Sequence, residues 1–143
     1  MSREEQRDLS RRSLGLWSSS STDRLEDLVA PAYINHQEPY AEGGERVVGL
    51  KNWRAILEAY HRAFSDSQVT ILTQISEGPL VAVHWEFTAQ HTGEYLGQEA
   101  TGKVATWKGM TIDRFEGGKI AETWTVWERY ELLKQLGFVS EPA

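Results

Sequence analysis

Hydrophobic residues recur first at helical spacing and then, from residue 68 onward, at every second position. Residues 3–17 are polar except for Leu9, Leu14, Leu16 and Trp17, which predicts an amphipathic helix with its apolar stripe toward the C-terminal end. A run of serines breaks this helix. Thr22 or Asp23 can then cap a short second helix carrying Leu25, Leu28 and Val29, which Pro31 stops. Beyond a glycine-rich, charged loop around Gly43 and Gly44, the stretch from Gly49 to Phe64 places Leu50, Trp53, Leu57, Tyr60 and Phe64 on one helical face.

The later period of two predicts strands. Val69, Ile71, Thr73 and Ile75 alternate with polar neighbours until Gly78 and Pro79 turn the chain. In the next strand Val81, Val83, Trp85 and Phe87 share one face, and Ala82, His84, Glu86 and Thr88 share the other. Alternation alone leaves open which face is inside. A third strand is predicted from Val104 to Phe115, a hairpin turn at Gly117 and Gly118, and a fourth strand from Lys119 to Glu128. Residues Arg129 to Leu136 read as a helix closed by Gly137. Helices followed by a meander of strands predict the α+β class: a curved antiparallel sheet of four strands or more, with the N-terminal helices over one face.

At 143 residues the chain is predicted to be one domain, 1–143. With six Trp, five Tyr and four Phe it can fill a core. The absence of Cys excludes disulfides and thiolate chemistry and fits a cytoplasmic location. No stretch approaches the roughly 20 apolar residues of a membrane span. A formal charge of -6 with 15 basic residues argues against a nucleic-acid partner, whose phosphates are bound mainly by Lys and Arg. The four His show no His-x-x-x-His spacing, so no metal is expected. Nucleotide-binding loops and nucleophile elbows are lacking too, so no cofactor is expected.

The string AETWTVWERYELLKQLG after FEGGKI, the QHTGEYLG segment followed by TGK, and LVAPAYINH near the start resemble SnoaL-like polyketide cyclases, within the wider nuclear transport factor 2-like superfamily. The resemblance spans nearly the whole chain. It implies a cone-shaped half-barrel with three helices across the concave face, commonly dimeric through the outer sheet surface. A homodimer is therefore expected, with Trp85, Trp107 or Trp127 supplying the apolar outer face.

A cone of this kind strips water from an ionisable group and raises a carboxylate pKa toward neutrality, so a poised acid in it can move protons. Glu128 stands where the resemblance places the cyclases' Asp, a general acid/base; it is either a pocket acid or a solvated end-of-strand carboxylate. Glu122 and Trp124 share its strand face by strict alternation and are substrate-binding candidates. His84 and Glu86 lie two apart on one strand face and form a natural proton-transfer pair with Glu128 if that face is inside. By position they resemble the Arg and Asp of limonene epoxide hydrolases, yet the residue types differ throughout, and epoxide hydrolysis is not supported. Asn35 and His36 fall at the pocket entrance by resemblance, and Trp53 is a candidate pocket wall. The expected function is a cyclase- or isomerase-type enzyme acting on a small apolar or aromatic carbonyl compound. The alternative is a non-catalytic binding module that uses the same cavity.

Overall fold

The computed structural model describes residues 1–18, 21–38 and 46–139, without the Glu38 side chain; the loop of Gly43 and Gly44 lies outside them. Helix α1 spans Arg3–Gly15. Ser2 Oγ accepts from the Glu5 amide at 3.1 Å and Glu5 Oε1 accepts from the Ser2 amide at 3.3 Å, satisfying two N-terminal donors that a helix leaves open. Helix α2 is a single turn, Leu25–Leu28, with Arg24 at the cap position and no capping side chain. Neither Thr22 nor Asp23 caps it, and Val29 is not part of it. Val29 instead opens strand β1, Val29–Glu38, in which Pro31 sits at an irregularity of the pairing, where a missing N–H is tolerated.

The remaining elements are β2 (Arg46–Val48), α3 (Leu50–Ala63), β3 (Phe64–Glu77), β4 (Leu80–His91), β5 (Val104–Glu116), β6 (Lys119–Trp127) and α4 (Arg129–Leu136). They form one six-stranded sheet in the order β2-β1-β6-β5-β4-β3. The class is α+β, as expected, but the sheet is not wholly antiparallel: β1 runs parallel to β6. Gly137 closes α4 in the left-handed conformation at φ 81°.

Burial settles which face of each strand is inside. On β4 the side chains of Val81, Val83, Trp85, Phe87 and Ala89 are buried, and His84 and Glu86 lie on the opposite face. Withdrawing each large apolar side chain from water stabilises the fold by about 1.5–3 kcal/mol, whereas burying a His–Glu pair costs desolvation, so the aromatic face turns inward. Trp85, Trp107 and Trp127 consequently sit on the helix-covered side, and the expectation that they supply an outer dimer face is corrected. On β3 a register shift between Ile71 and Thr73 breaks the alternation, so Val69 and Ile71 pack against the core but Ile75 is 63% exposed. Trp17 at the end of α1 meets Trp53 and Tyr60 of α3 edge-on at centroid distances of 5.6 and 4.9 Å, fastening both helices over the sheet. Gly109 on β5 keeps that face open. A Cβ there would lie 2.4 Å from the Trp85 ring and 2.7 Å from Trp127 Cβ.

Candidate functional site

Between α1, α3 and the inner sheet face lies a cavity of about 390 Å³. Its walls are aromatic, with Trp17, Trp53, Tyr60, Trp85, Phe87 and Trp107 among them. Its floor is polar, because three adjacent strands turn hydrophilic residues inward there: Tyr33, Asn35 and Gln37 from β1, Thr111 and Asp113 from β5, and Thr123 and Thr125 from β6. Mostly apolar walls with a few convergent polar groups are the usual composition of a small-molecule site.

Asp113 is the one buried carboxylate of the floor, 3% exposed. Ser10 of α1 donates to its Oδ2 at 2.5 Å, and Thr123 Oγ1 donates to its Oδ1 at 2.8 Å. Burial pushes its pKa up to about 6, with the two hydroxyl hydrogen bonds restraining the rise. The donors extend outward as a chain. Gln37 donates to Asn35 and Asn35 Nδ2 donates to the Tyr33 hydroxyl at 2.7 Å, beside Thr123, whose own hydrogen is on Asp113. The hydroxyl hydrogens of Ser10 and Thr123 both point at the carboxylate, which favours its charged form. Burial, and then the Asp113 charge, raise the Tyr33 hydroxyl pKa above its ordinary value, so Tyr33 is a neutral hydrogen-bonding group. Trp85 Nε1 donates to Thr111 Oγ1 at 2.8 Å, leaving the Thr111 hydrogen free for another acceptor.

Of the residues predicted from sequence, Asn35 and Trp53 line this cavity. His84 and Glu86 lie on the outer face of β4. Glu128 is exposed at the start of α4, where its Oε1 accepts from the Lys108 amide at 2.8 Å. The expected convergence of His84, Glu86 and Glu128 on one cavity is therefore corrected. His36, Glu122 and Trp124 form a separate cluster on the outer face. His36 Nε2 is 2.6 Å from Glu122 Oε2, the His36 ring stacks on Trp124 at 5.3 Å, and Arg114 lies 3.2 Å from Glu122. The His36 hydrogen bond first, and Arg114 after it, hold the Glu122 carboxyl below the usual carboxylate range. Strict alternation put Glu122 and Trp124 on one face with Ile120; a bulge at Ala121 turns Ile120 into the core and the other two outward.

Sequence reasoning missed Asp113, Thr111, Thr123, Thr125, Tyr33 and Ser10. The signal for Asp113 was present, since it falls at the same strand parity as Ala105, Trp107 and Phe115, and an acid on a core-facing strand position marks a functional candidate. Among the described residues no three His, Asp or Glu side chains converge as metal ligands.

The comparisons bear on the family and the fold. The family model for SnoaL-like polyketide cyclases matches residues 7–136. No curated protein matches the chain in sequence. Among solved structures, AclR from Streptomyces galilaeus, described as a candidate hydroxylase, is 24% identical with a TM-score of 0.83 over 99% of this chain and 87% of its own. TsrD from Streptomyces laurentii is 22% identical with a TM-score of 0.82 over 97% of this chain and 99% of its own. A Catenulispora acidiphila protein with a ketosteroid isomerase-like fold, solved in complex with trimethylamine, is 15% identical with a TM-score of 0.73 over 90% of this chain and 92% of its own. At these identities the likeness establishes the fold, an α+β cone with helices over a mostly antiparallel sheet. With nine-tenths of its length covered by the family model, the chain belongs to the SnoaL-like polyketide cyclase family.

Proposed function

We propose that the protein is a cyclase- or isomerase-type enzyme in which Asp113 moves a proton next to a carbonyl of a small apolar or aromatic compound. The supporting observation is a single carboxyl, raised to about 6, at the floor of an aromatic-walled cavity. A general base works best when its pKa is near the operating pH, and burial supplies that here. Asp113 takes a proton from the carbon beside the carbonyl, and the free hydrogen of Thr111 meets the oxygen on which charge develops. In a ring closure the resulting enolate attacks a second carbonyl of the same molecule, and protonated Asp113 returns the proton to the new alkoxide. The aromatic walls exclude water and hold a flat substrate against the floor.

The test uses the half-reaction. Exchange of the α-protons of an aryl 1,3-diketone in D2O, followed by proton NMR, should be catalysed by the native protein with a rate that rises through about pH 6 as Asp113 ionises. Asp113→Asn keeps the shape and should slow exchange by about 100-fold or more while the diketone still binds. Binding with an unchanged exchange rate in Asp113→Asn would remove Asp113 from the mechanism and favour the non-catalytic module.

The reading extends to assembly. Met110, Ile112, Trp124 and Val126 are exposed together on the outer sheet face, with Met110 opposite Val126 and Ile112 opposite Trp124. Arg114 and His36 beside Glu122, and Glu86 opposite Lys108 on the neighbouring strands, place both charge signs around this patch, so two copies can meet across a two-fold axis with opposite charges opposed.

A further inference from the structure

Among the described residues, Arg129 is the cation of the cavity lining, which otherwise carries only the acids Asp113 and Glu94 as charged groups. It is half-buried, yet among the described residues no carboxylate pairs with it, whereas Arg24, Arg54 and Arg114 are each ion-paired. Helix stability does not explain it either: Arg129 is the first residue of α4, where the helix dipole disfavours positive charge. Glu128 beside it is engaged with the Lys108 amide and Glu131 with Lys134, so the neighbouring acids are taken. The chain thus sets a guanidinium with no carboxylate partner among the described residues against an apolar cavity, at a cost to its own helix.

We propose that Arg129 anchors a carboxylate carried at the far end of the substrate, so that the substrate is an aromatic acid with its reacting carbonyl at the opposite end. This rests on Asp113 acting at the floor. A guanidinium forms two parallel hydrogen bonds to a carboxylate, and in a partly desolvated site that charge-assisted pair outweighs a neutral contact. The separation is set by register. Trp127 faces Gly109, four residues from Asp113 along β5, and Arg129 follows beyond Trp127, away from Asp113, so more than about 13 Å of backbone at roughly 3.4 Å per residue divides the two anchors. An elongated, flat molecule meets both; a single ring meets one. Glu94, an exposed acid of the same lining, disfavours polyanions such as nucleotides.

The probes are 2-naphthoate and 2-naphthamide, nearly the same in shape and different in charge, titrated calorimetrically at low salt. The native protein should bind the acid about tenfold more tightly than the amide. Arg129→Gln should bring the two within about twofold without weakening the amide, and Arg129→Lys should keep part of the preference. Equal affinities in the native protein, a preference that survives Arg129→Gln, or no saturable binding of either probe would overturn the assignment, since a cavity of about 390 Å³ falls in the range that takes drug-sized ligands. Asp113→Asn separates the two readings. Retained acid preference with α-proton exchange lost supports both; exchange unaffected with the preference retained removes the catalytic reading alone, and exchange lost with no preference removes the Arg129 anchor alone.

Discussion

Replacing Asp113 by Asn removes a titration from the core while leaving a side chain of nearly the same shape. The carboxyl pKa is raised from 3.8 to about 6 in the folded protein, chiefly by burial. The folded state therefore holds this proton more tightly than the unfolded chain, so stability falls as pH rises from about 4 through about 6 and stays lower above that. At 1.36 kcal/mol per unit the loss approaches about 3 kcal/mol. In the Asn variant the amide oxygen accepts from one of Ser10 and Thr123, its NH2 donates to the other after a hydroxyl rotation, and no charge forms. Thermal unfolding followed by circular dichroism from about pH 4 to 8 should give similar midpoints for both proteins at the acid end. The midpoints should then diverge, with the Asn variant about 6–12 °C higher near pH 8, at about 2–4 °C per kcal/mol for a chain of this size. Midpoints that stay parallel across the range would show that Asp113 titrates alike in both states and would refute the account of its poise.

Gly109→Ala should destabilise by about 1–3 kcal/mol, read as a lower urea midpoint at unchanged slope, because the added Cβ meets the Trp85 ring and Trp127. Val126→Asp should convert a homodimer into a monomer in light scattering, since it places a charge in the middle of the exposed outer patch; a native protein that is already monomeric at micromolar concentration refutes the two-fold assembly. Glu128→Gln, His84→Ala and Glu86→Ala should each leave α-proton exchange within about twofold, because all three side chains are outside the cavity; a 100-fold loss in any of them would relocate the chemistry.

The helices and the β3–β6 meander were legible because their cores are apolar and their periods clean: Leu50, Trp53 and Leu57 on α3, or Val81 to Phe87 on β4. β1 was not. Its inward residues Asn35 and Gln37 are hydrophilic and its outward ones include Ile34, so the alternation that marks a half-buried strand is inverted by the cavity it lines. The same inversion hid the site. Resemblance and pairing drew attention to His84, Glu86 and Glu128, but which face of a strand is inside depends on the summed burial of the whole sheet, and bulges at Ala121 and after Ile71 change parity locally. Trp53 was found because the apolar face of α3 had to front the concave side, and Asn35 because the resemblance put its segment at the pocket entrance.

The parallel pairing of β1 with β6 also bears on how the protein comes together in time. Strands β3, β4, β5 and β6 are successive antiparallel neighbours whose loops close locally, whereas Ile34 reaches Glu122 only across most of the chain. Loop closure over that separation is slow relative to hairpin formation, so the meander should assemble first and β1 should join late. Asp113 and Thr123 then belong to the early unit, and Tyr33 and Asn35 arrive with the last strand. Pulse-labelling hydrogen exchange should protect the amides of β4 and β5 before those of β1. A bound ligand that touches both the early and the late unit should act most strongly on the undocking of β1, slowing its release from β6 before it slows anything else.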